Sequence, residues 1–189
     1  MRYEYFSAMS EKYKARDPEG IYFITTTIVD WVDLFMRPEC TAILIESIKY
    51  CLEFKGLNVH AYVIMSNHIH LIVSTKEGVA LGDIMRDMKK FTAKKFVEYL
   101  DSGGGRTNWM LNKFSFAAKN RGEAKRHNVW KSGFHPILLD TNLKKEKALS
   151  YIHQNPVKAG IVYMPEHFVH SSAREYVLGD KGPFDLVLI

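Results

Sequence analysis

The stretch HAYVIMSNHIHLIV, residues 60–73, decides how this chain is read. It lies inside two apolar, β-rich runs, residues 57–65 (LNVHAYVIM) and 68–74 (HIHLIVS). Only Ser66-Asn67 separates them, which marks a β-hairpin. Residues 21–29 (IYFITTTIV) form an earlier run rich in β-branched and aromatic side chains, a strand by the same criterion. Between them, residues 38–55 read as a helix: Pro38 suits the first turn, and Ala42, Ile45, Ile48 and Leu52 recur at helical spacing. Gly56 ends it.

Beyond the hairpin, residues 79–100 read as a second helix. Leu81, Ile84, Met85, Met88, Phe91, Phe96 and Tyr99 share one arc, and Arg86, Lys89, Lys90 and Lys94 share the opposite one. Lys95 falls on the apolar side. Residues 101–105 (DSGGG) form a loop, and residues 106–128 interleave Trp109, Phe114 and Phe116 with Lys119, Arg121, Lys125 and Arg126. Residues 129–139 lead into a short strand. Residues 140–142 can cap a helix over about 143–154, which the Asn155-Pro156 pair then stops. A short helix is expected at 172–178, and the chain ends on the apolar FDLVLI. The order β, α, β-β, α, β, α implies an α+β fold, an antiparallel sheet with helices on one face.

At 189 residues with 47% hydrophobic and 25% charged side chains, the composition is that of one globular domain and excludes wholesale disorder. The net charge of +5 is unevenly placed. Residues 86–147 carry 15 Lys and Arg against 6 Asp and Glu, and the remainder carries 11 against 15. A basic face of this kind suits a polyanion such as nucleic acid. Cys40 and Cys51 share a helix face but lie about 16 Å apart along it, too far for a disulfide. Both read as buried packing residues in a reducing compartment, the cytoplasm. No apolar run is long enough to span a membrane, and no secretory leader is expected.

Two constellations carry chemistry. His68 and His70 alternate on a strand, so both imidazoles face one side and offer two ligands to a divalent metal with positions left open. The competing reading is a pair of locally hydrogen-bonded histidines on a half-buried strand. Tyr151 and Asn155 stand four residues apart on a helix, placing a phenol and an amide on one face. Here the competitors are a core aromatic and a helix cap preceding Pro156. His60 is a candidate to support the pair from the neighbouring strand. P-loop, dinucleotide, G-x-S-x-G and C-x-x-C motifs are all missing from the sequence.

Together, M-x-N-H-x-H-L (Met65 to Leu71) and Y-I-H-x-N-P-V-x-A-G (Tyr151 to Gly160) resemble the HUH-type single-tyrosine insertion-sequence transposases, the REP-associated tyrosine transposases most. Tyr22-Phe23, Met88-Lys89-Lys90-Phe91-Thr92, Trp130, Phe134-His135-Pro136, Pro165, Ser171-Ser172-Ala173 and Tyr176 extend the likeness over residues 20–177. Ser66 departs from the Pro of many members. The resemblance implies a ferredoxin-like α+β core, the HUH endonuclease core. One transposase domain would fill residues 1–189, with 101–129 a basic loop or insertion and 161–189 a C-terminal tail. It implies Mg²⁺ or Mn²⁺ held by His68, His70 and Asn155, and Tyr151 as nucleophile in metal-dependent cleavage and rejoining of single-stranded or hairpin DNA through a 5′-phosphotyrosine. Arg86, Lys89, Lys90 and Lys94 would follow the DNA backbone. Family members occur as monomers and as homodimers that exchange the tyrosine helix. The alternatives are a domesticated, non-catalytic DNA binder, a replication-initiator or relaxase-like nickase that shares the chemistry, and a water-using metallohydrolase acting on nucleic acid.

Overall fold

The computed structural model of the chain describes residues 15, 17, 19–120 and 126–189. Arg121, Lys125 and most of the polar lead-in at 1–20 lie outside the described residues. Four strands follow the expected order: β1 (Tyr22–Thr27), β2 (Leu57–Ile64), β3 (His68–Thr75) and β4 (Ile137–Leu138). The helices are α1 (Pro38–Phe54), α2 (Leu81–Ser102), α3 (Asn108–Lys119), α4 (Asn142–Lys158) and α5 (Ala173–Leu178). The sheet runs β2-β3-β1-β4 and is antiparallel throughout, the ferredoxin-like α+β arrangement.

The expected helical layer covers one face. Tyr22, Ile24, Leu71 and Val73 of the sheet bury against Leu44 and Ile48 of α1, Ile84, Met88 and Phe96 of α2, and Phe114 of α3. The opposite face also receives a helix. Phe23, Ala61, Val63 and Ile72 meet Ala148 and Ile152 of α4. Strands β1 and β3 therefore bury both sides, and His68 and His70, in step with Ile72, face α4. In β2 a bulge at His60 shifts the alternation, so Val59 and Tyr62 both point to the α1–α2 side.

Several sequence expectations change for physical reasons. The buried face of α1 is Cys40, Leu44, Ile48 and Cys51, and Ala42 is exposed. Both cysteines are free and buried, as expected. In α2, Phe91 is 50% exposed and Thr92 takes the inward position. The buried Trp130 indole needs an acceptor, and the Thr92 hydroxyl supplies it at 3.0 Å. Lys95 turns outward to Glu98 at 2.9 Å. Part of the stretch read as a basic loop is helical, namely α3.

The largest difference concerns Asn155. Helix α4, capped by Thr141 accepting from the Lys144 N–H, does not stop before Pro156 but runs through it. Pro156 sacrifices a single backbone bond in the last turns and is itself buried. The stop is Gly160, at φ +71, where the Gly160 N–H donates to the Val157 carbonyl and the Ile161 N–H to the Pro156 carbonyl. Asn155 is thus a helical residue one turn after Tyr151, and not a cap.

Candidate active site

The catalytic candidates gather where β3 begins, between the sheet and α4. Antiparallel register sets Thr25 of β1 opposite His70 and Thr27 opposite His68. The His68 and His70 rings lie 4.9 Å apart between centroids, and Tyr151 from α4 stands 5.2 Å from His70, edge-on at 74°. Phe23 stacks on His70 at 5.3 Å and meets Tyr151 edge-on at 5.8 Å, so one phenyl ring sets the spacing of both. The Lys158 ammonium lies 5.8 Å from the centre of the Tyr151 ring.

Each imidazole is oriented through Nδ1. His68 Nδ1 is 2.8 Å from the Asn67 side-chain oxygen. That amide is fixed because its Nδ2 donates to Asp33 at 2.8 Å and to the Trp31 carbonyl at 3.3 Å. The oxygen can only accept, so His68 Nδ1 carries the proton and Nε2 keeps a lone pair. His70 Nδ1 is 2.7 Å from the Thr25 hydroxyl, which can accept its proton with the same result. Both Nε2 atoms are buried and without a hydrogen-bond partner among the described residues. A buried acceptor left unpaired costs about 1–3 kcal/mol. Two adjacent, neutral, unpaired imidazole nitrogens are a donor set that fits a divalent cation with an open coordination sphere.

Among the described residues, no group of three or more His, Cys, Asp or Glu side chains is placed to hold a metal. A third protein ligand would have to be of another kind. Asn155 shares the α4 face with Tyr151 but makes no side-chain hydrogen bond to any described residue. His60 does not support the pair. Its Nδ1 lies 2.6 Å from the Val187 carbonyl and its Nε2 2.9 Å from the Ser74 hydroxyl, at the far end of the hairpin.

The four basic residues of α2 line a groove of about 890 Å³ between that helix and residues 126–134. They differ in availability. Arg86 is paired with Asp83 and Asp87, and Lys94 lies 3.8 Å from Glu98. Lys89 is half-buried and donates to the carbonyls of Lys131 and Gly133. Arg126 and Lys131 add charge from the other wall. The groove lies on the α2 side of the sheet and the histidines on the α4 side. They approach at the end of β1, where Lys131 sits 3.9 Å over the Trp31 ring and Trp31 stands 6.1 Å from His68.

The family model for IS200-like transposases matches residues 33–155, well over half of the chain. The chain belongs to the IS200-like transposase family. A solved structure of a REP-associated tyrosine transposase bound to a REP hairpin is similar to this IS200-like transposase, with a TM-score of 0.64 and 18% identity over 95% of this chain and 96% of that one. None of the curated proteins matches. The ferredoxin-like core and the family resemblance read from the sequence are thereby borne out. No helix among the described residues is long and apolar enough to cross a membrane.

Thr25, Trp31 and Asp33 escaped assignment from sequence, and Phe23 entered only as part of the likeness, with no role. Strand register alone brings Thr25 to His70, and a turn brings Trp31 and Asp33 to Asn67. The turn is unusual: Asp30 and Trp31 both adopt left-handed backbone, φ 53 and 54. Each costs about 1–2 kcal/mol in a residue with a side chain. Strain of this kind is retained where the surroundings hold it.

Burial also sets the charge state of this IS200-like transposase. It pushes His68 down to about 4 and His153 to about 4. It pushes His70 to about 3, with the neighbouring His68 adding a smaller effect. All three are neutral at pH 7. Their folded values lie below the unfolded 6.5, so their contribution to stability is whole above pH 6.5 and is lost as pH falls toward 4. At about 1.4 kcal/mol per unit, the loss is of the order of several kcal/mol. Thermal melts by circular dichroism should show Tm dropping steeply between pH 6 and 4.5, whereas a flat Tm over that range would contradict neutral burial.

Proposed function

We infer that the chain cleaves and rejoins single-stranded DNA, including strands bearing hairpins, by tyrosine transesterification. The observation that carries this reading is the placement of the Tyr151 ring 5.2 Å from His70, beside two buried, unpaired imidazole nitrogens. A lone metallohydrolase site would not need a phenol on the facing helix. A lapsed, DNA-binding descendant would not need oriented histidines.

Tyr151 Oη attacks the phosphorus of the scissile phosphodiester in line. The new P–O bond forms as the P–O3′ bond breaks, leaving a 5′-phosphotyrosine and a free 3′ oxygen, to which the phenolic proton passes through solvent. The 3′-OH of another strand can reverse the step, so bond energy is conserved and no nucleotide hydrolysis is required. A phenol of pKa about 10 is ionised roughly one part in a thousand at pH 7, a deficit of about 4 kcal/mol that the site must offset.

His68 and His70 would hold Mg²⁺ or Mn²⁺ through Nε2, with the Asn155 amide as third ligand. A bound cation there supplies Lewis-acid polarisation of a non-bridging phosphate oxygen and fixes its position. Asn67 and Thr25 keep both rings in the tautomer that can ligate. Arg86, Lys89, Lys90 and Lys94 would form the wall that follows the DNA backbone. Of these, Lys90 stands exposed and pairs with no acidic side chain among the described residues, whereas Lys89 supports the groove wall. The whole of residues 1–189 acts as one transposase unit, working on DNA in the cytoplasm.

The test is to incubate the protein with labelled single-stranded hairpin oligonucleotides and Mn²⁺, and to resolve the products on a denaturing gel. A slow-migrating protein–DNA adduct that appears together with a free 3′-OH fragment is the expected result. Cleavage with no adduct at any time point would favour the metallohydrolase. Binding without cleavage of any member of a diverse pool would favour the domesticated binder.

A further inference from the structure

Among the described residues, Trp31 is a large aromatic that borders the histidine pair and yet remains 46% exposed. Its position is built. Strand β1 ends at Thr27, and the next residue is pinned on two sides. The Ile28 N–H donates to the Asn67 carbonyl at 2.8 Å, and Ile28 bridges to Trp130. The chain then reverses through two consecutive left-handed residues, Asp30 and Trp31. Lys113 of α3 holds Asp30 at 3.8 Å, and the Asn67 amide holds the Trp31 carbonyl. A bulky residue at positive φ is a rare conformation. Here it sets an indole on the surface instead of in the core, 6.1 Å from His68 and nearly perpendicular to it.

The same ring carries the Lys131 ammonium at 3.9 Å. Lys131 lines the basic groove, so Trp31 lies where the groove meets the histidine pair. An exposed indole with a fixed cation beside it matches the two halves of one unpaired nucleotide. The base stacks on the ring, and its phosphate meets the ammonium.

We propose that Trp31 is a stacking platform for an unpaired nucleobase next to the scissile phosphate, with Lys131 contacting that nucleotide's phosphate. The proposal rests on the nuclease reading of this site and names the nucleotide contact that holds the strand across the end of the sheet. Stacking tolerates any base, because every base offers a π face, but it excludes base pairs in an intact duplex. Asn67 then has two tasks, orienting His68 and anchoring the platform.

The test uses Trp109→Phe protein, which leaves Trp31 and the buried Trp130 as the indoles. Titration with a randomised single-stranded oligonucleotide should quench emission saturably, whereas a blunt duplex should not. Trp31→Phe should abolish the quenching while keeping most of the affinity. Trp31→Ala should weaken single-strand binding roughly ten- to hundredfold. Its far-ultraviolet spectrum and Tm should stay near wild type, because the ring is not part of the core. Quenching that survives Trp31→Phe, equal quenching by duplex, unchanged affinity in Trp31→Ala, or no binding of any single strand would each overturn the platform. Quenching as expected without any covalent adduct would overturn the nuclease reading and leave the platform standing.

Discussion

Tyr151→Phe is expected to remove strand cleavage, by at least ~10³-fold, together with every trace of covalent adduct. The substitution deletes one oxygen and keeps the ring that Phe23 and His70 contact, so the wall of the site stays filled. Stability should change by no more than about 1 kcal/mol, the net worth of one hydrogen bond. Affinity for a single-stranded oligonucleotide should stay close to wild type, since groove and platform are untouched. Gel resolution of the cleavage products and a direct binding titration separate the two effects. Cleavage that persists at a tenth of the wild-type rate would mean that another nucleophile, water included, does the work.

His70→Ala is expected to act on the metal instead of the nucleophile. His70 is only 3% exposed, and its Nε2 is one of the two buried imidazole nitrogens of the pair left without a partner among the described residues. Removing it should weaken Mn²⁺ binding at least ~100-fold, since even second-tier partners of metal-ligating histidines are worth 10–100-fold. Cleavage should fall to background with it. The void beside Phe23 and Tyr151 also loosens the nucleophile, so high Mn²⁺ should restore little. Isothermal titration of Mn²⁺ into the wild type and the variant measures the first effect without reference to catalysis. Equal Mn²⁺ affinity in the two proteins would remove His70 from the ligand set.

The hairpin and its two histidines were legible because their cause is local. A period of two sets both imidazoles on one face, and a two-residue break can only be a tight turn. The pairing of Tyr151 with Asn155 was legible by helical spacing, although Asn155-Pro156 looked like a stop. The true stop, Gly160, sits four residues later, and the helix carries the buried Pro156 through its last turns with one backbone bond to the Ile152 carbonyl forgone. What stayed hidden depends on non-local pairing. Nothing in the TTT run says which threonine will oppose His70, because register is set by the whole ladder. Phe91 and Thr92 exchanged places because a tryptophan 38 residues further on requires a hydroxyl. Lys89 looked like a solvated cation, but two carbonyls from residues 131 and 133 claim it. Trp31 was indistinguishable from any loop aromatic, since its position follows from a strained turn that only Asn67, Lys113 and Ile28 together maintain.

The most direct measurement is to trap the protein on a labelled single strand with Mn²⁺, digest the adduct with protease and nuclease, and locate the nucleotide-bearing residue by mass spectrometry. The expected result is one modified peptide, with the 5′-phosphate esterified to Tyr151 Oη. A nucleotide on any other residue, or cleavage products with no modified peptide at all, would contradict Tyr151 as the nucleophile of this site.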